Sequence, residues 1–83
     1  MKVLVVDDDV RIRRLYRMEL EEAGFQVATA GSGTEAIEKF EAERPQVVTL
    51  DILMPDMDGL EVLRALKRRN ASTPVIISTA FDY

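Results

Sequence analysis

The sequence has 83 residues, of which 47% are hydrophobic and 31% are charged, a composition typical of one small globular domain and not of a disordered chain. A formal net charge of -4 gives the chain no overall attraction to nucleic acids or anionic membranes, so neither is expected as a partner. Because cysteine and histidine are both absent, disulfides, thiolate metal sites and ordinary zinc sites are excluded, and any metal ligands must be oxygen atoms.

The sequence also contains no segment with the pattern of a targeting peptide or membrane span. Met1 and Lys2 are followed by a short apolar run that ends at three aspartates, which is too short for a signal peptide. The longest uncharged stretch, residues 70–81, is too short and too polar to cross a bilayer. A cytoplasmic protein is therefore expected.

Short β-branched runs alternate with segments of helical periodicity, a pattern that predicts an α/β fold with a parallel sheet. The first predicted strand, residues 3–6, leads directly into Asp7-Asp8-Asp9. A helix follows and ends at Gly24, and a weaker strand is predicted over residues 26–30. One face of that helix is predicted to carry Ile12, Leu15, Tyr16, Leu20 and Ala23.

The second half of the chain repeats the alternation. Ser32 and Glu35 have the spacing of a capping box for a second helix, which Arg44-Pro45 closes. A third strand over residues 47–50 leads into Asp51, and a third helix is predicted from about residue 60 to 69. Leu60, Leu63 and Leu66 are expected on a common face of this helix, and Pro74 begins a fourth strand.

Acidic or hydroxyl residues stand where three of these strands end. Asp7 and Asp8 follow the first strand, Asp51 the third, and Thr79 the fourth. Because parallel strands share one carboxyl edge, these side chains are expected to meet in one pocket. Mg²⁺ prefers oxygen ligands, so the set predicts a site for a divalent cation and a phosphoryl group. Two simpler interpretations stay open: Asp9 caps the first helix, and Asp51 is a solvated loop residue.

Three motifs together resemble those of a known family. They are Val-Leu-Val-Val-Asp-Asp at residues 3–8, Asp-Ile-Leu-Met-Pro-Asp-Met-Asp-Gly at 51–59, and Val-Ile-Ile-Ser-Thr-Ala at 75–80. In order and separation they resemble the receiver domain of two-component response regulators along the whole chain. The resemblance implies a flavodoxin-like, doubly wound parallel sheet of order 2-1-3-4 and a signalling domain, not an enzyme.

The resemblance also implies roles for single residues. Asp51 would be the phosphoacceptor for a phosphohistidine on a sensor histidine kinase or phosphotransfer protein. Asp8 would bind Mg²⁺ directly, Asp7 largely through water, and the backbone carbonyl of Leu53 would complete the protein ligands. Thr79 would donate a hydrogen bond from its hydroxyl to the acyl phosphate. In chemical terms, the metal would offset the negative charge of the carboxylates and the incoming phosphoryl group.

The sequence departs from this family at its end. Receiver domains have five strands and five helices, whereas this chain ends after the fourth predicted strand, so residues 1–83 are interpreted as a partial receiver domain. The phosphate-contacting lysine and the aromatic switch residue of the fifth strand are absent, which predicts impaired phosphorylation. An exposed fourth strand with unpaired backbone groups predicts self-association.

Alternative interpretations remain open from the sequence alone. One is a non-signalling fragment that folds and self-associates. A second is a haloacid-dehalogenase-like phosphatase, which is disfavoured because Leu53 stands where those enzymes carry their second acid.

In the loop after Asp51, Gly59 is expected to adopt a backbone conformation that other residues avoid, and Asp58 to cap the third helix. Four arginines on the first helix are interpreted as a solvated basic face, with a contact to an acidic kinase partner as the alternative. They are Arg11, Arg13, Arg14 and Arg17.

Overall fold

A computed structural model of the chain describes residues 1–56 and 58–78. Four strands alternate with three helices, as the sequence predicts. The strands are β1 (Lys2–Val6), β2 (Gln26–Ala30), β3 (Val47–Asp51) and β4 (Val75–Ser78). The helices are α1 (Val10–Glu22), α2 (Gly33–Glu43) and α3 (Gly59–Arg69). None of the described helices is long and apolar enough to span a membrane.

The strands form one parallel sheet in the order β2-β1-β3-β4, which confirms the predicted fold class. In the register, Val6 pairs with Leu50 and Asp51 pairs with Ser78, so the carboxyl ends of β1, β3 and β4 lie at one edge. This alignment places the residues that follow β1 beside the last residue of β3.

Polar side chains fix where each helix begins. The Arg11 N–H donates to Asp9 at 2.9 Å, and the Leu60 N–H donates to Asp58 at 3.0 Å, so both predicted N-caps are confirmed. Ser32 accepts from the Glu35 N–H at 3.1 Å, which confirms the capping residue of α2. These caps satisfy N–H groups that a helix cannot satisfy internally.

The helix ends also follow the sequence. Gly24 has φ +98°, a left-handed conformation that glycine adopts without steric cost, and it follows the end of α1. Arg44 adopts φ 48° at the C-cap of α2, immediately before Pro45. Both positions stop the helices where turn chemistry predicts.

The main hydrophobic core lies between the sheet and α2 and α3. Leu4, Val48, Leu50 and Leu66 are fully buried within it, and Met54 from the loop after β3 joins them. Leu60, Leu63 and Leu66 were predicted to share a face of α3, but that face does not coincide with the buried one, because Leu60 is 47% exposed. The buried residues of α3 are instead Gly59, Val62, Ala65 and Leu66.

Helix α1 covers the opposite face less completely. None of its described residues is fully buried, and Leu15, which was expected on the inward face, is 50% exposed. Ala23, also expected there, is the exposed C-cap. The helix is therefore confirmed, but its predicted apolar face is only partly packed.

Gly59 serves a different purpose from the predicted one. Its φ is not in the left-handed region, which contradicts the sequence-based expectation. A Cβ at this position would collide with the backbone of Ile52. Glycine is required because α3 begins against the chain that leaves β3, so the start of α3 fixes the path of the loop after Asp51.

Candidate functional site

The site lies at the carboxyl edge of the sheet. One carboxylate oxygen from each of Asp7, Asp8 and Asp51 lies within 4.8 Å of the others. Asp7 and Asp51 are 8% and 7% exposed, whereas Asp8 is open to solvent. The convergence of these three acids, predicted from strand ends, is therefore present in the structure. Thr79, the predicted fourth member, lies outside the described residues.

Backbone bonds orient two of the three carboxylates. The Asp9 N–H donates to Oδ1 of Asp7 at 2.9 Å, and the Leu53 N–H donates to Oδ1 of Asp51 at 2.9 Å. The backbone of Asp7 is itself fixed, because its N–H donates to the Ala30 carbonyl at 3.0 Å. Each of the two carboxylates keeps its second oxygen free of hydrogen bonds from the described residues. These oxygens are available to an external ligand.

The neighbouring carboxylates repel one another and make it less favourable for Asp7 to ionise. Burial raises the pKa of the Asp7 carboxyl above its ordinary value, and the charges of Asp51, Asp8 and Asp9 raise it further. The hydrogen bond from the Asp9 backbone acts in the opposite direction and lowers that pKa. Within residues 1–56 and 58–78, no lysine or arginine forms an ion pair with Asp7, Asp8 or Asp51. A bound cation would relieve this repulsion.

The geometry suits a small hard cation. Oxygens on opposite sides of an octahedral Mg²⁺, bound at about 2.1 Å, lie roughly 4.2 Å apart. The three carboxylate oxygens lie within 4.8 Å of one another, so they are close enough to surround a single ion. An all-oxygen donor set with two buried members therefore fits Mg²⁺ and does not fit a soft metal.

Several contacts around the site were not predicted from the sequence. The Arg13 guanidinium donates to the backbone carbonyl of Asp7 at 2.7 Å, and Tyr16 and Ser78 share a hydrogen bond of 3.3 Å between their hydroxyls. The Gly33 N–H donates to Asp56 in the loop after β3. The last two join residues that are 62 and 23 positions apart, so no local pattern could have indicated them, whereas Arg13 and Asp7 are only six residues apart.

The arginines of α1 are less free than the sequence indicates. Besides Arg13, Arg11 pairs with Asp9 at 3.0 Å and Arg17 pairs with Glu21 at 3.3 Å. The hydrogen bond from Arg11 lowers the pKa of the Asp9 carboxyl, consistent with an ionised N-cap. Part of the predicted basic face therefore serves the start of α1 and the backbone of the site.

Comparison with known proteins decides the family. The family model described as the response regulator receiver domain matches residues 3–83 of the sequence. The chain belongs to this family. It is a receiver domain of two-component response regulators, a signalling domain, as the motif resemblance predicts.

Two curated response regulators illustrate the similarity of this receiver domain to its relatives. The chain is 41% identical over 81 residues to the alkaline phosphatase synthesis transcriptional regulatory protein PhoP of Bacillus subtilis, covering 98% of this chain and 34% of that protein. It is 43% identical over 82 residues to the transcriptional regulatory protein TrcR of Mycobacterium tuberculosis, covering 99% and 32%. The chain thus spans about a third of the length of these relatives.

Solved receiver domains have the same fold. Response regulator TrrA of Thermotoga maritima, solved with Mg²⁺ and BeF, is 40% identical with a TM-score of 0.90. That match covers 98% of this chain and 70% of TrrA. The chemotaxis protein CheY4 of Vibrio cholerae is 36% identical with a TM-score of 0.90, covering 99% and 70%. The four strands and three helices described above therefore correspond to a large part of a receiver domain.

Proposed function

We propose that this receiver domain accepts a phosphoryl group on Asp51. A carboxylate oxygen of Asp51 would attack phosphorus in a phosphohistidine of a sensor histidine kinase or phosphotransfer protein. The bond from phosphorus to the histidine nitrogen would break, and that nitrogen would retain the electron pair. The observation that carries the proposal is the approach of Asp7, Asp8 and Asp51 to within 4.8 Å at the carboxyl edge of the sheet.

The same acids are proposed to hold Mg²⁺. Asp8 would bind it directly, Asp7 largely through water, and Asp51 and the backbone carbonyl of Leu53 would complete the protein ligands. When bound, Mg²⁺ would neutralise charge on the carboxylates and the phosphoryl oxygens. Support comes from the unpaired carboxylate cluster and from the relative TrrA, which was solved with Mg²⁺ and BeF.

The chain's own residues would prepare Asp51 for attack. The Leu53 N–H holds one oxygen of Asp51 and leaves the other free for phosphorus. An in-line transfer depends mainly on such positioning and on charge stabilisation. Thr79 is proposed to donate a hydrogen bond to the acyl phosphate. The pairing of Asp51 with Ser78, the residue before Thr79, supports this role.

Residues 1–83 are proposed to form the receiver part of a regulator that acts in the cytoplasm. The relatives PhoP and TrcR are named as transcriptional regulatory proteins, and bacterial transcription takes place in that compartment. We expect this receiver chain itself to bind neither nucleic acid nor membrane, because its net charge is -4.

Self-association through β4 is proposed as a further property. This strand is the outer one on its side of the described sheet, and Ile76 and Ile77 are 57% and 42% exposed. Unpaired backbone groups beside exposed apolar side chains favour pairing with another strand. Light scattering after size exclusion should show mass rising with concentration, and a monomer at every concentration would contradict the proposal.

Labelling with a small phosphodonor tests the phosphoacceptor role. The chain is incubated with acetyl phosphate and Mg²⁺, and a base-labile phosphoryl group is located by mass spectrometry. Any labelling, even at a low level, is expected to depend on Asp51 and Mg²⁺. Asp51→Asn should abolish it, while Glu38→Gln, which removes an exposed charge from α2, should not.

The outcomes separate this role from its alternative. Equal labelling of Asp51→Asn and the wild-type chain would overturn the assignment of Asp51. A chain that binds Mg²⁺ but accepts no phosphoryl group would favour the non-signalling, self-associating fragment instead.

A further inference from the structure

The loop between β3 and α3 is attached to α2 through Asp56. The backbone N–H of Gly33 donates to both carboxylate oxygens of Asp56, at 3.0 Å to Oδ2 and 3.2 Å to Oδ1. Gly33 is buried, whereas Asp56 is exposed. The bond therefore crosses from an exposed loop to the buried start of a different βα unit.

The start of α2 leaves this N–H available. The first N–H groups of a helix have no partner within the helix. Ser32 accepts from the Glu35 N–H, and Glu35 accepts from the Gly31 N–H at 2.7 Å, so neither side chain serves Gly33. A carboxylate suits this position because a helix N-terminus carries a partial positive charge. Asp56 is therefore a cap supplied from outside the helix.

The attachment acts on the loop that carries part of the site. The loop is held at its beginning by the Leu53 N–H bond to Asp51 and by the buried Met54 side chain. At its end, Asp58 caps α3. Asp56 adds a further attachment, and this one reaches α2. The bond between Asp56 and Gly33 would determine how rigidly the backbone after Leu53 is held.

We infer that Asp56 is a positioning residue for Mg²⁺ binding, an inference that rests on the proposed function. By capping α2, Asp56 holds the loop in the path that presents the Leu53 backbone carbonyl, the proposed ligand. Its carboxylate is not among the three whose oxygens lie within 4.8 Å of one another in the described chain. Asp56 therefore acts through the loop and not as a ligand.

Two substitutions at Asp56 separate the hydrogen bond from the charge. Asp56→Asn removes the charge but keeps an acceptor oxygen, and asparagine caps helices about as well as aspartate. Asp56→Ala removes both. Gly33→Pro deletes the donor and leaves Asp56 intact. Proline is favoured at the first helical position, and Ser32, at φ -152° and ψ 166°, has the extended conformation required before it.

Mg²⁺ affinity is measured by titration of the Leu53 and Met54 amide shifts in ¹⁵N NMR, with thermal unfolding to establish that each variant folds. Asp56→Ala should weaken Mg²⁺ binding about tenfold, the lower end of the loss that follows removal of a partner behind a metal ligand. Asp56→Asn should stay within about twofold of wild type because the cap remains. Gly33→Pro should match Asp56→Ala, and combining the two should add little. Glu38→Ala, an exposed charge removed elsewhere on α2, should not change the affinity.

The inference is overturned if Asp56→Asn weakens binding as much as Asp56→Ala, because charge and not the cap would then matter. Wild-type affinity in Asp56→Ala would overturn it as well. Both results leave the proposed function intact, since the wild-type chain still binds Mg²⁺. A wild-type chain that binds no Mg²⁺ would overturn the proposed function and the inference together.

Discussion

The two faces of the sheet are covered to very different degrees. On the face covered by α2 and α3, Val48 and Leu50 from β3 and Leu66 from α3 are completely buried. On the face covered by α1, Val5 in the middle of the sheet is buried as well, but Leu15 of α1 and Ile76 of the outer strand β4 are 50% and 57% exposed. Thr49 lies there in a groove against α1, also lined by Leu15, Tyr16, Glu19 and Leu20.

This difference shows how the fold divides its tasks. The face covered by α2 and α3, called the closed face below, supplies the continuous apolar packing on which folding depends. The acidic site belongs to the opposite face of the same strands. Because successive side chains of a strand point to opposite faces, Thr49 and Asp51 of β3 lie on the α1 face, whereas Val48 and Leu50 lie on the closed face. The acids are thus aligned by strands that the closed face stabilises. Changes at buried positions on the α2 and α3 face should affect the whole molecule, and changes at half-exposed positions on the α1 face, such as Leu15, should have smaller effects.

The largest effect is expected from a cavity on the closed face. Leu66→Ala removes a completely buried side chain and should lower the free energy of unfolding by about 2–5 kcal/mol, which could unfold a chain of this size. Leu15→Ala is the matched change on the α1 face and should cost less, because half of that side chain is already in water. Urea denaturation of both variants measures the difference. Equal losses would show that the two faces contribute alike.

A somewhat smaller loss of stability is expected at Gly59, where the closed face meets the site. Gly59→Ala places a Cβ against the backbone of Ile52, and forced packing of this kind costs about 1–3 kcal/mol. The loop after Asp51 must move to make room, so Mg²⁺ affinity should fall together with the melting temperature. Glu61→Ala, at an exposed position in the first turn of α3, is the control and should change neither substantially. Unchanged Mg²⁺ affinity in Gly59→Ala would show that the start of α3 does not set the loop path.

Gly59 also illustrates what the sequence could and could not reveal. Helix boundaries and the convergence of Asp7, Asp8 and Asp51 follow from local periodicity, caps and the shared edge of parallel strands, and were predicted correctly. The strand order was also predicted correctly, but it came from the motif resemblance and not from local patterns. The reason for Gly59 was missed because the collision with Ile52 depends on how α3 packs, not on the local turn.

The exposure of Leu60 was missed for a related reason. Leu60, Leu63 and Leu66 have helical spacing, but Val62, Ala65 and Leu66 define the face that meets the core. Two overlapping apolar stripes on α3 made the rotation of the helix ambiguous in sequence. Tertiary packing resolved it. The cap from Asp56 to α2 was equally invisible, since nothing local relates Asp56 to Gly33.

An effect of opposite sign is expected at Thr49. Its hydroxyl is buried and has no hydrogen-bond partner among the described residues. Thr49→Val keeps the shape and removes this unsatisfied group, so it should raise the free energy of unfolding by about 1 kcal/mol. The reverse change on the closed face, Val48→Thr, should be destabilising because it buries a hydroxyl in the apolar core. Destabilisation by Thr49→Val would contradict this prediction, because it would indicate that the hydroxyl has a hydrogen-bond partner in the groove.

The smallest effect is expected at Asp7, where the sheet meets the site, and it should depend on pH. The folded-state pKa of Asp7 is raised above its ordinary value of 3.8, chiefly by burial and then by neighbouring acids. The folded chain therefore binds this proton more tightly than the unfolded chain does. The resulting stabilisation is complete below the unfolded pKa and is lost as the pH rises through the folded pKa.

Asp7→Asn, which cannot ionise, should consequently raise the melting temperature of the Mg²⁺-free chain at pH 7. Its advantage should shrink as the pH falls towards 3.8, since Asp7 then becomes neutral in the wild-type chain as well. The asparagine oxygen can still accept from the Asp9 N–H, so the turn after β1 is retained. Adding Mg²⁺ should reverse the order at pH 7, because the cation stabilises the wild-type acids more than the variant. A difference in melting temperature that stays constant with pH would mean that Asp7→Asn acts through packing and not through charge.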